Sequence, residues 1–384
     1  MIRVLLFAML LPTALVAQVE QGLLNPDFQP AFANQTRAPA LAQTPITVRR
    51  VASGLDRPWG IAGLPSGQFL ITELGGTLRL MNADGTLSRP LTGVPQTTEF
   101  GQGGLMDVAV APDFSSSRVI YLTYVKLVRG RAATAAARAV LGSDGSLTEV
   151  RDIFVQDNPS NNTRHFGSRV VPAHDGTVWI TTGDRGAGDG GGLAQNLTST
   201  HGKVVRVGGD GSVPSDNPFV GRNGNDLVWS AGHRNIQGAA LDGRGRLWTV
   251  EHGPRGGDEL NRPQAGRNYG WPLVSYGINY NGRPIGRGRA VGNGLEPPVY
   301  YWDPVIAPSG MTFYNGSFAA WRGDAFIGSL NPGGIVRLKF SGDRVAGEER
   351  LFIHAGRVRD IEVLGDGSIL VINDNGEVLQ VTPG

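Results

Sequence analysis

The chain states its chemistry most plainly at His165, in Arg164-His165-Phe166-Gly167-Ser168-Arg169, and at Asp184, in Thr182-Gly183-Asp184-Arg185-Gly186. An imidazole exchanges a proton near neutral pH, and Asp184 follows the next strand-like run at a cross-strand distance, so the two can form an oriented acid–base pair. A structural hydrogen bond for His165 and an Asp turn for Asp184 are the competing uses. Arg234, Asn235 and Gln237, within Gly232-His233-Arg234-Asn235-Ile236-Gln237-Gly238, combine a fixed cation with amides suited to the carboxylates or carbonyls of an oxidised organic cofactor. His233 reads instead as a strand cap or a group packed under the loop. Gln102, in Gly101-Gln102-Gly103-Gly104, is either a cofactor contact or a simple loop amide. Arg357 and Arg359, two apart in a strand, share one face and can grip a polyanionic ligand, or can form an exposed ion-pair ladder.

Metal chemistry is narrowed by the absence of cysteine, which leaves oxygen or imidazole ligands. Gly253 and Pro254, in Glu251-His252-Gly253-Pro254-Arg255-Gly256-Gly257-Asp258-Glu259, each present a carbonyl suited to Ca²⁺, with Asp258 or Glu259 binding directly or ordering a ligand. His252 is not read as a ligand, and the Asp-x-Asp-x-Asp spacing of an EF-hand is missing. Rossmann and P-loop patterns in their strand-to-helix context are missing too. Near-balanced charge, 35 basic against 33 acidic residues, lacks the concentrated positive field of a nucleic-acid binder.

These groups need elements that bring distant loops together. The 57 glycines among 384 residues are roughly twice the usual share and imply many tight turns. A turn followed by a short β-branched or aromatic run recurs from residues 65, 112, 172, 242, 321 and 365, as in Asp175-Gly176 before Val178-Trp179-Ile180. Six imperfect copies predict an all-β, six-bladed β-propeller of four-stranded antiparallel sheets, which protects strand edges by radial repetition. Asp84-Gly85, Asp144-Gly145, Asp210-Gly211, Asp366-Gly367 and Asn375-Gly376 predict tight reversals. Arg129 to Arg138 fits either a short helix or a hairpin rim. Longer connections over the ring mouth are where function is expected.

Ahead of the propeller, Arg3, the apolar run Val4 to Leu11 and the small-residue zone to Ala17 predict a signal peptide over 1–17, and hence a periplasmic or secreted protein. Residues 18–44 read as a flexible spacer and 45–384 as one catalytic propeller. No integral membrane association is expected, since the apolar run is too short to span a bilayer.

At these residues the chain resembles the soluble pyrroloquinoline-quinone (PQQ)-dependent aldose sugar dehydrogenases, the family that includes soluble quinoprotein glucose dehydrogenases. The resemblance runs from about 47 to 382 and is carried by Trp229-Ser230-Ala231-Gly232-His233-Arg234-Asn235-Ile236-Gln237-Gly238, the 251–261 stretch and Gly266-Arg267-Asn268-Tyr269-Gly270-Trp271-Pro272. It implies His165 as general base, Asp184 as its partner and Arg234 as stabiliser of oxyanion character. It also implies PQQ held by Gln102, Arg234, Asn235, Arg357 and Arg359, with Gln237 and Asp258 in support. Ca²⁺ would sit on the Gly253 and Pro254 carbonyls, and Trp302 would form an aromatic platform beside the quinone, a core tryptophan being the alternative. The implied reaction moves hydride from an aldose C1 to the PQQ C5 carbonyl, giving a lactone, with electrons passing to an external acceptor. Asn331 stands where some glucose-oxidising relatives carry a lysine near the cofactor, and the short connections favour a monomer acting on mono- or oligosaccharide aldoses. A Ca²⁺-dependent sugar-lactone hydrolase and a non-catalytic carbohydrate- or protein-binding propeller are the rival readings.

Overall fold

The computed structural model describes residue 25 and residues 27–186, 192–352 and 355–384. The expected signal peptide lies outside these residues. Among the described residues, the strands form six antiparallel sheets, five of four strands and one of three. The six innermost strands, Pro58–Gly63, Leu105–Val110, Gly167–Pro172, Ile236–Leu241, Pro308–Phe313 and Val358–Val363, each contact their two neighbours and close a ring. The fold is therefore the six-bladed propeller, with blades 1 to 6 numbered by these strands.

Every run in the sequence repeat is the second strand of a blade: Phe69–Glu73, Val119–Val128, Thr177–Thr182, Leu247–Glu251, Ala325–Ser329 and Ile369–Asn373. The turn before each joins first strand to second, so all six copies fall in the same structural register. The Asp-Gly and Asn-Gly reversals hold their glycines at positive φ, from 76° at Gly376 to 90° at Gly367. Arg131–Leu141 is a strand paired with Val119–Val128, so the hairpin reading of that segment is the correct one. Blade 1 lacks a full fourth strand. Leu87 makes only an isolated bridge to Met81, and Pro90 offers no N–H to extend the ladder.

Ring closure is non-local. Ile46–Ser53 pairs with Glu377–Pro383, making the first strand of the propeller the outer strand of blade 6. Apolar clusters fill the spaces between blades; one joins Leu70 and Leu78 of blade 1 to Ile120, Leu122 and Ala137 of blade 2.

The described part of the expected spacer, residue 25 and residues 27–44, is packed on the propeller rather than free. Gln35 is buried, donating to the Pro298 carbonyl, while Ala40 bridges Glu348 and Leu41 donates to the Glu348 carbonyl. The segment covers the edge of the outer strand of blade 5, satisfying backbone groups that would otherwise face solvent. Ala38, buried in the blade 4–5 cluster, is its apolar anchor.

Candidate functional site

Each innermost strand starts at one end of the ring, and near that start each pairing with the second strand has a register irregularity: between Pro58 and Ile61, Leu105 and Val108, Ile236 and Gly238, Pro308 and Met311, Val358 and Asp360, and opposite Ile180 to Thr182 in blade 3. A bulge inserts a residue out of alternation and re-aims its side chain. Trp59, Arg169, Gln237 and Arg359 lie at these irregularities. Trp59, Gln237 and Arg359 line a cavity of about 540 Å³ at the ring mouth, and Arg169 lies beneath it. The same cavity is lined by Gln102, His165, Arg234, Asn235, His252 and Arg357.

His165 Nδ1–H donates to Asp184 Oδ1 at 2.6 Å, an assignment forced by a carboxylate that only accepts. The expected pair therefore exists, and its tautomer leaves Nε2 as a proton acceptor. Asp184 is itself held from three sides. Gly186 N–H donates to Oδ1 at 2.7 Å, Trp271 Nε1–H donates to Oδ2 at 2.8 Å, and the Asp184 amide donates to the Arg234 carbonyl. Gln102 Oε1 accepts the His165 amide at 2.9 Å, fixing a backbone whose φ is 53°. Burial pushes the His165 imidazole below its ordinary value; the Asp184 hydrogen bond opposes this and Arg234 adds to it. Burial works to raise Asp184, yet the hydrogen bond from His165 and the nearby Arg234 keep it below the usual carboxylate range. The result is a neutral imidazole against an ionised aspartate, the state a general base requires.

Arg234 NH1 donates to the carbonyls of His252 and Gly253, both at 3.0 Å. Its Nε is buried with no hydrogen-bond partner among the described residues. The guanidinium as a whole is part of the cavity wall. Arg357 and Arg359 converge on one carboxylate, Asp374, with Nε–O distances of 2.7 and 2.5 Å. Two guanidinium groups on one aspartate leave net positive charge on that wall. Asn235 is spent on structure, its Oδ1 accepting the Gly167 amide at 3.1 Å, though it still lines the cavity.

Asp258 supports the 253–258 turn, with Oδ1 accepting from Gly253 N–H at 2.7 Å and Oδ2 from the amides of Ile306 and Ala307. Burial pushes its carboxyl up to about 7 against the pull of these donors. The Gly253 and Pro254 carbonyls are hard oxygen donors beside the cavity, and no group of three His, Asp or Glu side chains suited to a metal occurs among the described residues. The donor chemistry fits Ca²⁺, the Gly253 carbonyl being one that also accepts from Arg234 NH1. His252 donates Nε2–H to the Pro308 carbonyl, and burial, reinforced by Arg234, holds it neutral with a pKa of about 3. His233 is buried between Glu251 and Ser230 and stacked on Tyr269, the packing role expected for it.

Trp302 requires correction. It has no exposed surface, packs edge-on to Tyr300 and donates Nε1–H to Glu348 in the blade 4–5 core, so it offers no platform to the cavity. Tyr300 and Trp302 alternate onto the buried face of an outer strand, which carries them away from the ring mouth. The aromatic groups at the mouth are Trp59, Trp271 and Tyr280. Trp271 lies in the 266–272 stretch without an expected role, and Asp374 directly follows the second strand of blade 6, in the Asn373-Asp374-Asn375-Gly376 turn.

The site is thus a part-buried base and a wall of arginines lining one cavity at the mouth of a six-bladed propeller. Residues 55–380 match the Glucose / Sorbosone dehydrogenase family, and the chain belongs to it. It is 41% identical over 353 residues to the Aldose sugar dehydrogenase YliI of Escherichia coli, covering 89% of this chain and 94% of the relative. The apo structure of the soluble aldose sugar dehydrogenase from Escherichia coli superposes with a TM-score of 0.85 at 40% identity, over 88% of this chain and all of that one (100%). The PQQ-bound aldose sugar dehydrogenase from Streptomyces coelicolor superposes with a TM-score of 0.74 at 27% identity, over 89% of this chain and 99% of the other.

Proposed function

We propose that the protein oxidises the C1 hydroxyl of aldoses to lactones, using PQQ with Ca²⁺ and passing electrons to an external acceptor. The observation that carries this reading is the His165–Asp184 pair opening onto the same cavity as Arg234, Arg357 and Arg359. When bound, the quinone would supply the hydride acceptor that no side chain here provides. Arg357, Arg359 and Arg234 would hold its carboxylates and carbonyls, while Gly253 and Pro254 would hold the cation. His165 Nε2 takes the C1 hydroxyl proton, and Asp184 orients the ring and offsets the imidazolium charge. The Arg234 guanidinium, on the cavity wall, would stabilise oxygen atoms that gain negative charge. The N-terminal Arg3, the apolar run and the small residues to Ala17 support export to the periplasm or medium. Among the described residues no helix is long and apolar enough to cross a membrane.

The test is reconstitution of purified apoprotein with PQQ and Ca²⁺, then anaerobic addition of an aldose panel. Quinone reduction matched by lactone formation is expected, with loss of reduction when EDTA replaces Ca²⁺. No reduction by protein whose PQQ binding is verified by absorbance overturns the reading.

Asp184→Asn checks the pair itself. The variant is expected to lose about 10²-fold in kcat. In the parent, the acidic limb of kcat/KM should lie below pH 6.5, the ordinary imidazole value, because His165 works neutral and burial lowers it. Removing the aspartate removes the interaction that raises His165, so the limb should move to still lower pH while the plateau falls. An unmoved limb with near-parent kcat would sink the assignment.

A further inference from the structure

Asp184 Oδ2 has one donor among the described residues, the indole N–H of Trp271 at 2.8 Å, while Oδ1 is shared by His165 and Gly186. Trp271 reaches it from the connection between Asp258–Asn261 and Tyr300–Trp302, so a blade 3 carboxylate is gripped by a blade 4 loop. That loop is held in turn by Gln195, the last residue of the short helix Gly192–Gln195. Gln195 Nε2 donates to the Trp271 carbonyl at 2.7 Å and to Asn268 Oδ1 at 3.1 Å, and its Oε1 accepts from Asn268 Nδ2 at 2.7 Å. Both ends of the carboxamide are therefore used, and the side chain does not line the cavity. The helix is fastened to blade 3 by Lys203, whose buried ammonium donates to the carbonyls of Leu193, Ala194 and His201 at 2.8, 2.9 and 2.7 Å. Lys203 directly precedes the strand Val204–Gly208, which pairs with Thr177–Thr182, the strand that delivers Asp184. Gln195 and Asp184 thus stand on one frame, with Trp271 clamped between them.

Donors on both oxygens fix the plane of a carboxylate, and with it the line of the Asp184–His165 bond. A donor on Oδ2 also withdraws part of the charge that Asp184 offers to the imidazole. Resting on the reading of His165 as the base, we infer that Trp271 and Gln195 are positioning residues for the proton transfer. Trp271 sets the orientation and acceptor strength of Asp184, and Gln195, remote from the reacting atoms, acts through Trp271. The same indole has the Arg234 guanidinium 5.2 Å from its ring, so its place bears on both sides of the site.

The charged and titratable groups facing His165 are Asp184, Arg234, Arg164 and His252, and all four are retained in Trp271→Phe and Gln195→Met, which keep bulk and remove the donors. The His165 imidazole is titrated by NMR in the full-length apoprotein, its signal assigned by its loss in His165→Gln. Without the indole donor Asp184 accepts more strongly and favours the imidazolium, so His165 should titrate at higher pH in both variants, opposite to the shift in Asp184→Asn. Either variant suffices should the other fail to fold. In protein reconstituted with PQQ and Ca²⁺, the acidic limb of kcat/KM for glucose should move upward with it, and the plateau kcat should fall about tenfold at little change in KM. The double variant should lose no more than Trp271→Phe alone, because Gln195 acts only through the indole. An unmoved His165 titration in Trp271→Phe overturns the inference, and additive losses in the double variant remove Gln195 from it. A parent that binds PQQ yet oxidises no aldose overturns the aldose reading, while the apoprotein titration still decides whether Trp271 governs the pair.

Discussion

His165→Gln is expected to lower kcat by about 10²–10⁴-fold while PQQ binding persists. Glutamine can still hydrogen-bond to Asp184 but cannot take up a proton at neutral pH, so the substitution separates proton transfer from shape. The size of the effect follows from the fixed geometry of the parent. Nδ1 is committed to Asp184 at 2.6 Å, the residue's amide is held by Gln102, and its carbonyl lies where a Cβ on Gly183 would come within 2.0 Å. The imidazole therefore presents Nε2 to the cavity without having to be ordered by substrate. Anaerobic single-turnover reduction with PQQ content measured in parallel checks it. Near-parent turnover at full PQQ occupancy would remove His165 as the base.

Arg169→Met is expected to destabilise the apoprotein by about 3–5 kcal/mol, the range for breaking a buried charged network at one partner. Arg169 lies below the cavity in the middle of the ring. Its NH1 reaches Asp107 Oδ1 at 2.8 Å and Asp360 Oδ2 at 2.9 Å, Nε reaches the Gln237 carbonyl at 2.7 Å and NH2 the Arg359 carbonyl at 3.1 Å. The guanidinium also lies 4.3 Å from the Trp59 ring. One side chain thus ties together the innermost strands of blades 1, 2, 3, 4 and 6. Blade 5 approaches through Gly310, where a Cβ would fall 1.8 Å from Asp360 Oδ1. Methionine would fill much of the space but leave two buried carboxylates without their cation.

The pH dependence has a definite sign. Burial pushes Asp107 up to about 6, with Arg169 drawing it back, and burial raises Asp360 as well. A carboxylate raised in the folded state contributes stability below its unfolded value, lost as pH climbs through the folded value. Without Arg169 both groups rise further, so the penalty in Arg169→Met should be larger at pH 8 than at pH 5. Guanidinium chloride unfolding at both pH values measures this; equal, small losses would show that the network carries little stability. Arg169→Lys, which retains charge but not the planar fork, should recover only part of the loss.

The six turn-and-strand units were legible because a tight turn is written in adjacent residues: Asp175-Gly176 or Asp366-Gly367 reverses the chain by its own conformational preferences. The His165–Asp184 pair was legible for a related reason, since its two members flank successive strands of one blade. Trp302 was misread because burial depends on what packs across a strand. Its partners Trp248 and Leu260 precede it by tens of residues, and Glu348 comes from the next blade. The packing of residues 27–44 was not legible because they lack periodicity of their own, and Ala40 and Leu41 are held by the edge of a strand some 300 residues later in the chain.

Sequence alone determined which side chains could move a proton, hold an anion or offer a carbonyl, and where the chain would turn, because these properties belong to single residues or close neighbours. Tertiary structure decided that groups from six blades meet at one mouth, that Arg357 and Arg359 share Asp374, and that Arg234 keeps an unmatched Nε. Those outcomes depend on the bulge at the start of each innermost strand and on closure of the ring by Ile46–Ser53. Both are set by contacts between residues far apart in the chain, which local propensity does not encode.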